Sequence, residues 1–168
     1  MQAAATLALS DADLGLLRAI EQLRLAPYDD QTGQPISAWL PGATIGYGHL
    51  IGRDEWPRYA GGITPAEADA LLAQDVQPSE QAVRSAIQVR LLQRQFDALV
   101  LLAFNIGAAA FAGSSVVRLI NDPRAKTPYR NLQAAWSAWS RSQGRVLQGL
   151  VRRRQAEWAV YTRGVYAW

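Results

Sequence analysis

An α+β fold, with a small antiparallel β-lobe joined by a long helix to a larger helical lobe, is predicted by three observations. An amphipathic segment near residues 10–21 is followed by a stretch, 24–63, that holds seven glycines and short runs of Thr, Ile, Tyr and Trp. Thr64-Pro65-Ala66-Glu67 then places Thr at an N-cap, Pro at the first helical position and Glu at the third, the strongest helix-start signal in the chain. Beyond it, apolar residues recur at intervals of three and four, the helical period. The expected organisation is a single domain over 1–168: a first helix at 10–23, a β-lobe at 24–63, a connecting helix at 64–88 and a helical lobe at 89–168.

Each element has its local reason. Ser10-Asp11-Ala12-Asp13 resembles a capping box with Asp in place of Glu, and Leu14, Leu17 and Glu21 share one helical face, which puts Glu21 at the end of the first helix. In the β-lobe, Gly33, Pro41-Gly42 and Gly61-Gly62 mark turns between short strands. The helix opened by Thr64 runs towards residue 87, with a kink expected at Pro78. Phe96, Leu99, Val100, Ala103, Phe104 and Gly107 trace a buried helix near 91–107 that lacks an obvious N-cap, since Leu91-Leu92 stands where a polar residue is expected. A shorter helix follows at 114–121. Thr127-Pro128 opens another, with Leu132, Ala135, Trp136 and Trp139 on one stripe, and Leu150 to Arg163 closes the set. That aromatic stripe is read as core.

Composition narrows the function. With 49% hydrophobic and 18% charged residues this is a globular composition, and the absence of cysteine excludes disulfides, thiolate catalysis and Cys-ligated metal. The uncharged start, Met1 to Ser10, is about half of a membrane span and has no basic n-region, so an untargeted N-terminus is expected. The net charge of +3 divides unevenly. Residues 1–83 hold 11 acidic and 4 basic residues, and residues 84–168 hold 3 acidic and 13 basic. A basic second half suits a polyanionic partner, but most such charges lie on solvated helix faces.

The chemistry concentrates in residues 21–50. Glu21 is followed by Asp30, then by Thr44 opening Thr44-Ile45-Gly46-Tyr47-Gly48-His49. Splitting a glycosidic bond needs a proton for the departing oxygen and an electron-rich partner at the anomeric carbon. A proton donor needs poorly solvated surroundings, and Glu21 is flanked by Ile20, Leu23 and Leu25 at a helix C-terminus. Asp30 lies among the polar residues Asp29, Gln31 and Thr32, where it would stay charged. Asp29 competes with Asp30 for this role. His49, the one histidine, fits either a general base or a structural residue. Gly46 and Gly48 permit either a tight strand or close approach of a ligand to the backbone.

These residues resemble those of the tailed-phage lysozymes, the endolysins of glycoside hydrolase family 24. Further similarity lies in Ala73-Gln74-Asp75-Val76, in Phe96-Asp97-Ala98-Leu99-Val100 with Ala103-Phe104-Asn105-Ile106-Gly107, and in Gly149-Leu150-Val151-Arg152-Arg153-Arg154, so that it spans roughly residues 10–162. The resemblance implies a lysozyme-like fold and a muramidase that cleaves the β-1,4 bond between N-acetylmuramic acid and N-acetylglucosamine in peptidoglycan with inversion, causing host cell lysis. It implies Glu21 as general acid, Asp30 as general base or electrostatic partner, and Thr44 as holder of the attacking water. Leu50, Phe104 and Ser115 would line the saccharide cleft, and His49 would pair with Asp75 as a structural ion pair. No metal and no cofactor are implied. The expected partner is the peptidoglycan glycan strand, met by a monomer without nucleic acid, with weak contact between the basic half and an anionic wall or outer membrane. The protein is expected to accumulate in the host cytoplasm and to act on the periplasmic cell wall.

One departure stands out: thirteen residues separate Asp30 from Thr44, more than in the family's pattern. The extra segment, Gln34 to Ala43, is expected to lengthen the hairpin so that Thr44 returns beside Asp30. Two other readings use the same residues. A lytic transglycosylase would need one acid and no water, which leaves Asp30 and Thr44 unexplained. A non-catalytic module would grip a polyanion through the basic half.

Overall fold

The computed structural model describes residues 1–168. In chain order it contains β1 (Gln2–Ala3), a 3-10 turn (Ala4–Thr6), α1 (Asp11–Glu21), β2 (Arg24–Asp29), β3 (Ala43–Gly46), β4 (His49–Leu50), α2 (Trp56–Tyr59), α3 (Pro65–Asp75), α4 (Gln77–Ala86), β5 (Arg90–Leu91), α5 (Gln93–Ile106), α6 (Ala108–Ala112), α7 (Ser115–Asn121), α8 (Leu132–Ser137), a 3-10 turn (Ala138–Ser140), β6 (Arg141–Ser142), β7 (Arg145–Val146) and α9 (Gln148–Arg163). Two compact units result: Met1–Leu17 with Pro78–Trp168, and Arg18–Gln77. No helix is long and apolar enough to cross a membrane.

In the unit Arg18–Gln77 the strands form one antiparallel sheet in the order β2-β3-β4. Arg24 pairs with Gly46, but Tyr28 pairs with Thr44, so β2 spends two more residues than β3 across this interval. Pro27, which has no N–H to give a ladder, lies in the irregular stretch. The segment after Asp30 does not lengthen the β2–β3 hairpin as expected. It turns back along the other edge of β2, where Tyr28 bridges Pro35, Asp29 N–H donates to the Gln34 carbonyl (2.9 Å) and Ile36 N–H to the Pro27 carbonyl (3.1 Å). Residues 37–42 then return to start β3. The reason is burial: Ile36 and Trp39 pack against the core of this unit, Ala43, Ile45, Ile51, Tyr59 and Leu71, and the Trp39 indole donates to the Ile51 carbonyl (2.9 Å).

The capping box at Thr64 forms in full, with Glu67 N–H donating to Thr64 Oγ1 (3.3 Å) and Thr64 N–H to Glu67 Oε2 (2.7 Å). The single helix expected to kink at Pro78 is instead divided at Val76, into α3 and α4. Pro78 cannot donate to the carbonyl four residues back, so the break falls just ahead of it.

In the other unit, Phe96 to Ala103 of α5 are buried without interruption, and α5 packs along α9. The missing cap of α5 is supplied from within: Leu92 N–H donates to Gln95 Oε1 (2.9 Å). Thr127-Pro128 does not open a helix. Thr127 closes a local turn with Tyr129, and α8 begins at the Asn131 cap, which accepts from Ala134 N–H (2.9 Å). The first residues are also structured, since β1 pairs with β5. Much of the basic charge is used internally. Arg84 donates to the Leu7 carbonyl and Glu80, Arg90 to the Met1 carbonyl and Arg118 to the Lys126 carbonyl. Arg153 and Arg154 are buried against Glu157, which also accepts from the Trp136 indole (2.8 Å).

Candidate active site

Glu21 is the last residue of α1 and is half-buried. The helix stops there because Gln22 turns into the left-handed region at φ 55°, a role for which glycine would be the usual signal. The apolar jacket expected from Leu23 and Leu25 does not form, since they are 38% and 41% exposed. Leu25 lies in the irregular part of β2, where the in-and-out alternation of a regular strand is lost.

Asp30 follows β2 directly and is exposed, whereas Thr44, on β3, is buried. One carbonyl ties them together. Asp30 N–H donates to the Gly42 carbonyl at 3.0 Å, and Thr44 Oγ1 donates to the same oxygen at 2.9 Å. The competitor Asp29 is committed elsewhere. Its carboxylate accepts from Thr32 Oγ1 (2.7 Å) and Gln31 N–H (3.0 Å), and these bonds hold it below the usual carboxylate range. Asp29 therefore shapes the turn that carries Asp30.

Tyr28 was not singled out by the sequence. It sits opposite Thr44 in the sheet, with the Arg24 guanidinium 4.4 Å from its ring centre. Arg24 also donates to the Gly33 carbonyl (2.7 Å) and so clamps the turn. Burial raises the Tyr28 phenol above its ordinary value; Arg24 opposes this, and Glu21 and Asp30 add to it. Both carboxylates therefore act on one hydroxyl. The i, i+2 spacing of Tyr28 and Asp30 was the signal that could have found it.

His49 Nδ1 lies 3.0 Å from both oxygens of Asp75 and edge-on to the Tyr59 ring. The hydrogen bond to Asp75 raises the imidazole above the ordinary histidine value, against the lowering effect of burial. A proton bound more tightly in the folded state stabilises it fully below about pH 6.5 and ceases to do so as pH rises through the folded value. His49→Ala should therefore lose roughly 1–3 kcal/mol of stability at pH 5, and less as the pH is raised above neutrality. Denaturation at both pH values measures this; a loss that grows with pH would contradict the ion pair.

Leu50 pairs with Thr44 across β3–β4 and is 62% exposed. Phe104, half-buried near the end of α5, and Ser115, the first residue of α7, belong to the other unit. No group of three or more His, Cys, Asp or Glu is placed to hold a metal ion.

The family model described as phage lysozyme matches residues 18–157, a span that contains Glu21, Asp30, Thr44 and His49. The chain is 37% identical to the endolysin of Salmonella phage P22 over 158 residues, covering 91% of this chain and 97% of that one. It is also 37% identical to the endolysin of Bacillus phage PZA over 156 residues, covering 93% of this chain and 55% of that protein. The chain thus spans about half the length of the Bacillus phage endolysins it matches. Among solved structures, an endolysin from Escherichia coli O157:H7 phage FAHEc1 superposes with a TM-score of 0.78 at 32% identity, covering 97% of this chain and 98% of that one. The muramidase domain of SpmX from Asticaccaulis excentricus gives 0.73 at 32% identity, covering 93% and 98%. With Asp30 and Thr44 tied to one carbonyl, inside a match that takes in most of its length, this chain belongs to the phage lysozyme family and has its lysozyme-like fold.

Proposed function

We propose that the chain acts as a single catalytic domain, an endolysin-type muramidase that hydrolyses the β-1,4 bond between N-acetylmuramic acid and N-acetylglucosamine in peptidoglycan. The observation that carries this reading is the convergence of Asp30 and Thr44 on the Gly42 carbonyl in a member of the phage lysozyme family. Glu21 gives its proton to the glycosidic oxygen as the bond to the anomeric carbon breaks. Thr44 spends its own proton on Gly42, so towards water its oxygen can only accept. A water that gives one hydrogen to Thr44 and the other to Asp30 keeps a lone pair for the anomeric carbon. Its second proton passes to Asp30 as the new C–O bond forms, and one water is added overall. With the water between carboxylates about 6.5–9.5 Å apart, the outcome is inversion. Leu50, Phe104 and Ser115 would contact the saccharide.

Mass spectrometry of digested sacculi tests the reaction class. Hydrolysis yields reducing muramyl ends with one water added, and anhydro-muramyl ends would overturn the reading in favour of a transglycosylase. The same reading has the protein accumulate in the host cytoplasm and reach the wall after a separate membrane lesion. Expressing cells should stay turbid until the inner membrane is permeabilised; spontaneous lysis would count against this route.

A further inference from the structure

We propose that Gly42, contributed by the extra segment between Asp30 and Thr44, is a positioning residue for the hydrolysis: its carbonyl sets the Thr44 hydroxyl as an acceptor, and its bare α-carbon makes room for the Asp30 carboxylate. The inference rests on the muramidase reading and assigns that segment a part in the reaction.

Three observations carry it. The Gly42 oxygen accepts from both Asp30 N–H (3.0 Å) and Thr44 Oγ1 (2.9 Å), so one atom fixes the base's backbone and the threonine's rotamer. A Cβ built on Gly42 would fall 2.5 Å from Asp30 Oδ1 and 3.3 Å from its Cγ, well inside contact distance. Gly42 also sits at φ +96°, which side chains with a Cβ rarely adopt. The segment that delivers it is anchored by Ile36 and Trp39 on the β-lobe core and by the Trp39–Ile51 hydrogen bond. The carbonyl's place is thus set by packing.

The atoms that a Cβ would strike are the end of a side chain, so the Asp30 carboxylate would be pushed aside, in addition to the backbone strain that a Cβ meets at this φ. Displacement of a reacting group by about 1 Å can lower turnover by about a hundredfold. Gly42→Ala should therefore show that order of loss in kcat on purified sacculi, with KM within about twofold of the wild type, the mark of an interaction made in the transition state. Gly107→Ala is the matched control. Gly107 has a similar positive φ (+90°), and a Cβ there would meet nothing within 4 Å. It should meet comparable backbone strain and retain most of its turnover.

If Gly42→Ala folds and keeps its kcat, or if both alanine variants lose kcat equally, the proposal is wrong. Should Gly42→Ala fail to fold, Thr44→Val decides. It removes the bond to Gly42 and the acceptor oxygen while conserving shape, and should lose at least about tenfold in kcat. Normal turnover there overturns the proposal too. Failure of the muramidase reading is seen separately, because the wild type itself would then release no reducing muramyl ends.

Discussion

Glu21→Gln should leave a folded protein that no longer lyses chloroform-treated Gram-negative cells. The amide matches the carboxyl in shape but has no proton to give the departing oxygen. Loss of a general acid removes roughly 10²–10⁴-fold of rate. Three features bear on this expected result. Glu21 ends α1, so its Cα is set by a regular element and by the abrupt left-handed turn at Gln22. It acts, with Asp30, on the Tyr28 hydroxyl, so the two carboxylates share one electrostatic neighbourhood. It is also half-buried, and an isosteric amide there creates no cavity. Turnover should fall while the melting temperature stays within a few degrees, on the order of a 1 kcal/mol change. A variant with most of its activity intact would mean that another group protonates the leaving oxygen.

The largest expected effect on stability lies away from that site, at Asp13. Its side chain is fully buried, and neither carboxylate oxygen has a hydrogen-bond partner. Burial, with Asp97 and Glu157 nearby, pushes its carboxyl up to about 8 from an ordinary 3.8. The folded state therefore binds a proton more tightly than the unfolded chain. Stability falls as pH rises from about 4 to about 8, then changes no further through this group. The whole effect is on the order of 5 kcal/mol. Asp13→Asn cannot ionise, so its unfolding free energy should gain on the wild type by about that amount between pH 4 and pH 8. Groups common to both proteins cancel in the comparison. Denaturant titrations at the two pH values measure it, and a pH-independent difference would show that Asp13 is not kept neutral.

Asp13 also illustrates why parts of the fold were illegible in the sequence. Ser10 and Asp13 have the spacing of a capping box, and half of it forms: Asp13 N–H donates to Ser10 Oγ (3.3 Å). The reciprocal acceptor is not Asp13 but Asp97, 87 residues on, which takes Ser10 N–H (3.2 Å) and Ser10 Oγ–H (2.7 Å), along with Gln93 and the Tyr166 hydroxyl. Once a distant carboxylate fills the cap, the local one is displaced into the core. Thr127-Pro128 failed as a helix start for a related reason. Its hydroxyl closes a turn on Tyr129, and a better cap stands four residues later at Asn131. Thr64-Pro65-Ala66-Glu67, with every partner within three residues, formed as read.

At the site, residue types and spacing left Asp29 against Asp30 and the role of His49 open; the resemblance to the phage lysozymes is what singled out Glu21, Asp30 and Thr44 and paired His49 with Asp75, a contact the structure contains. What could not be read was how Thr44 returns to Asp30 across thirteen residues, because neither turn propensity nor period says which edge of β2 a Gly- and Pro-rich segment will take. Burial of Ile36 and Trp39 decided that. It also decided that a glycine carbonyl would link the Asp30 N–H to the Thr44 hydroxyl.

By itself, then, the sequence determined the elements whose signals close within one turn or one strand, and the residue types that chemistry would need. The tertiary structure alone decided the acceptor for Ser10, the burial of Asp13, the exposure of Leu23 and Leu25, and the route of the segment before Thr44. These depend on which distant groups exclude water from one another, and that free energy exists only after the chain has packed.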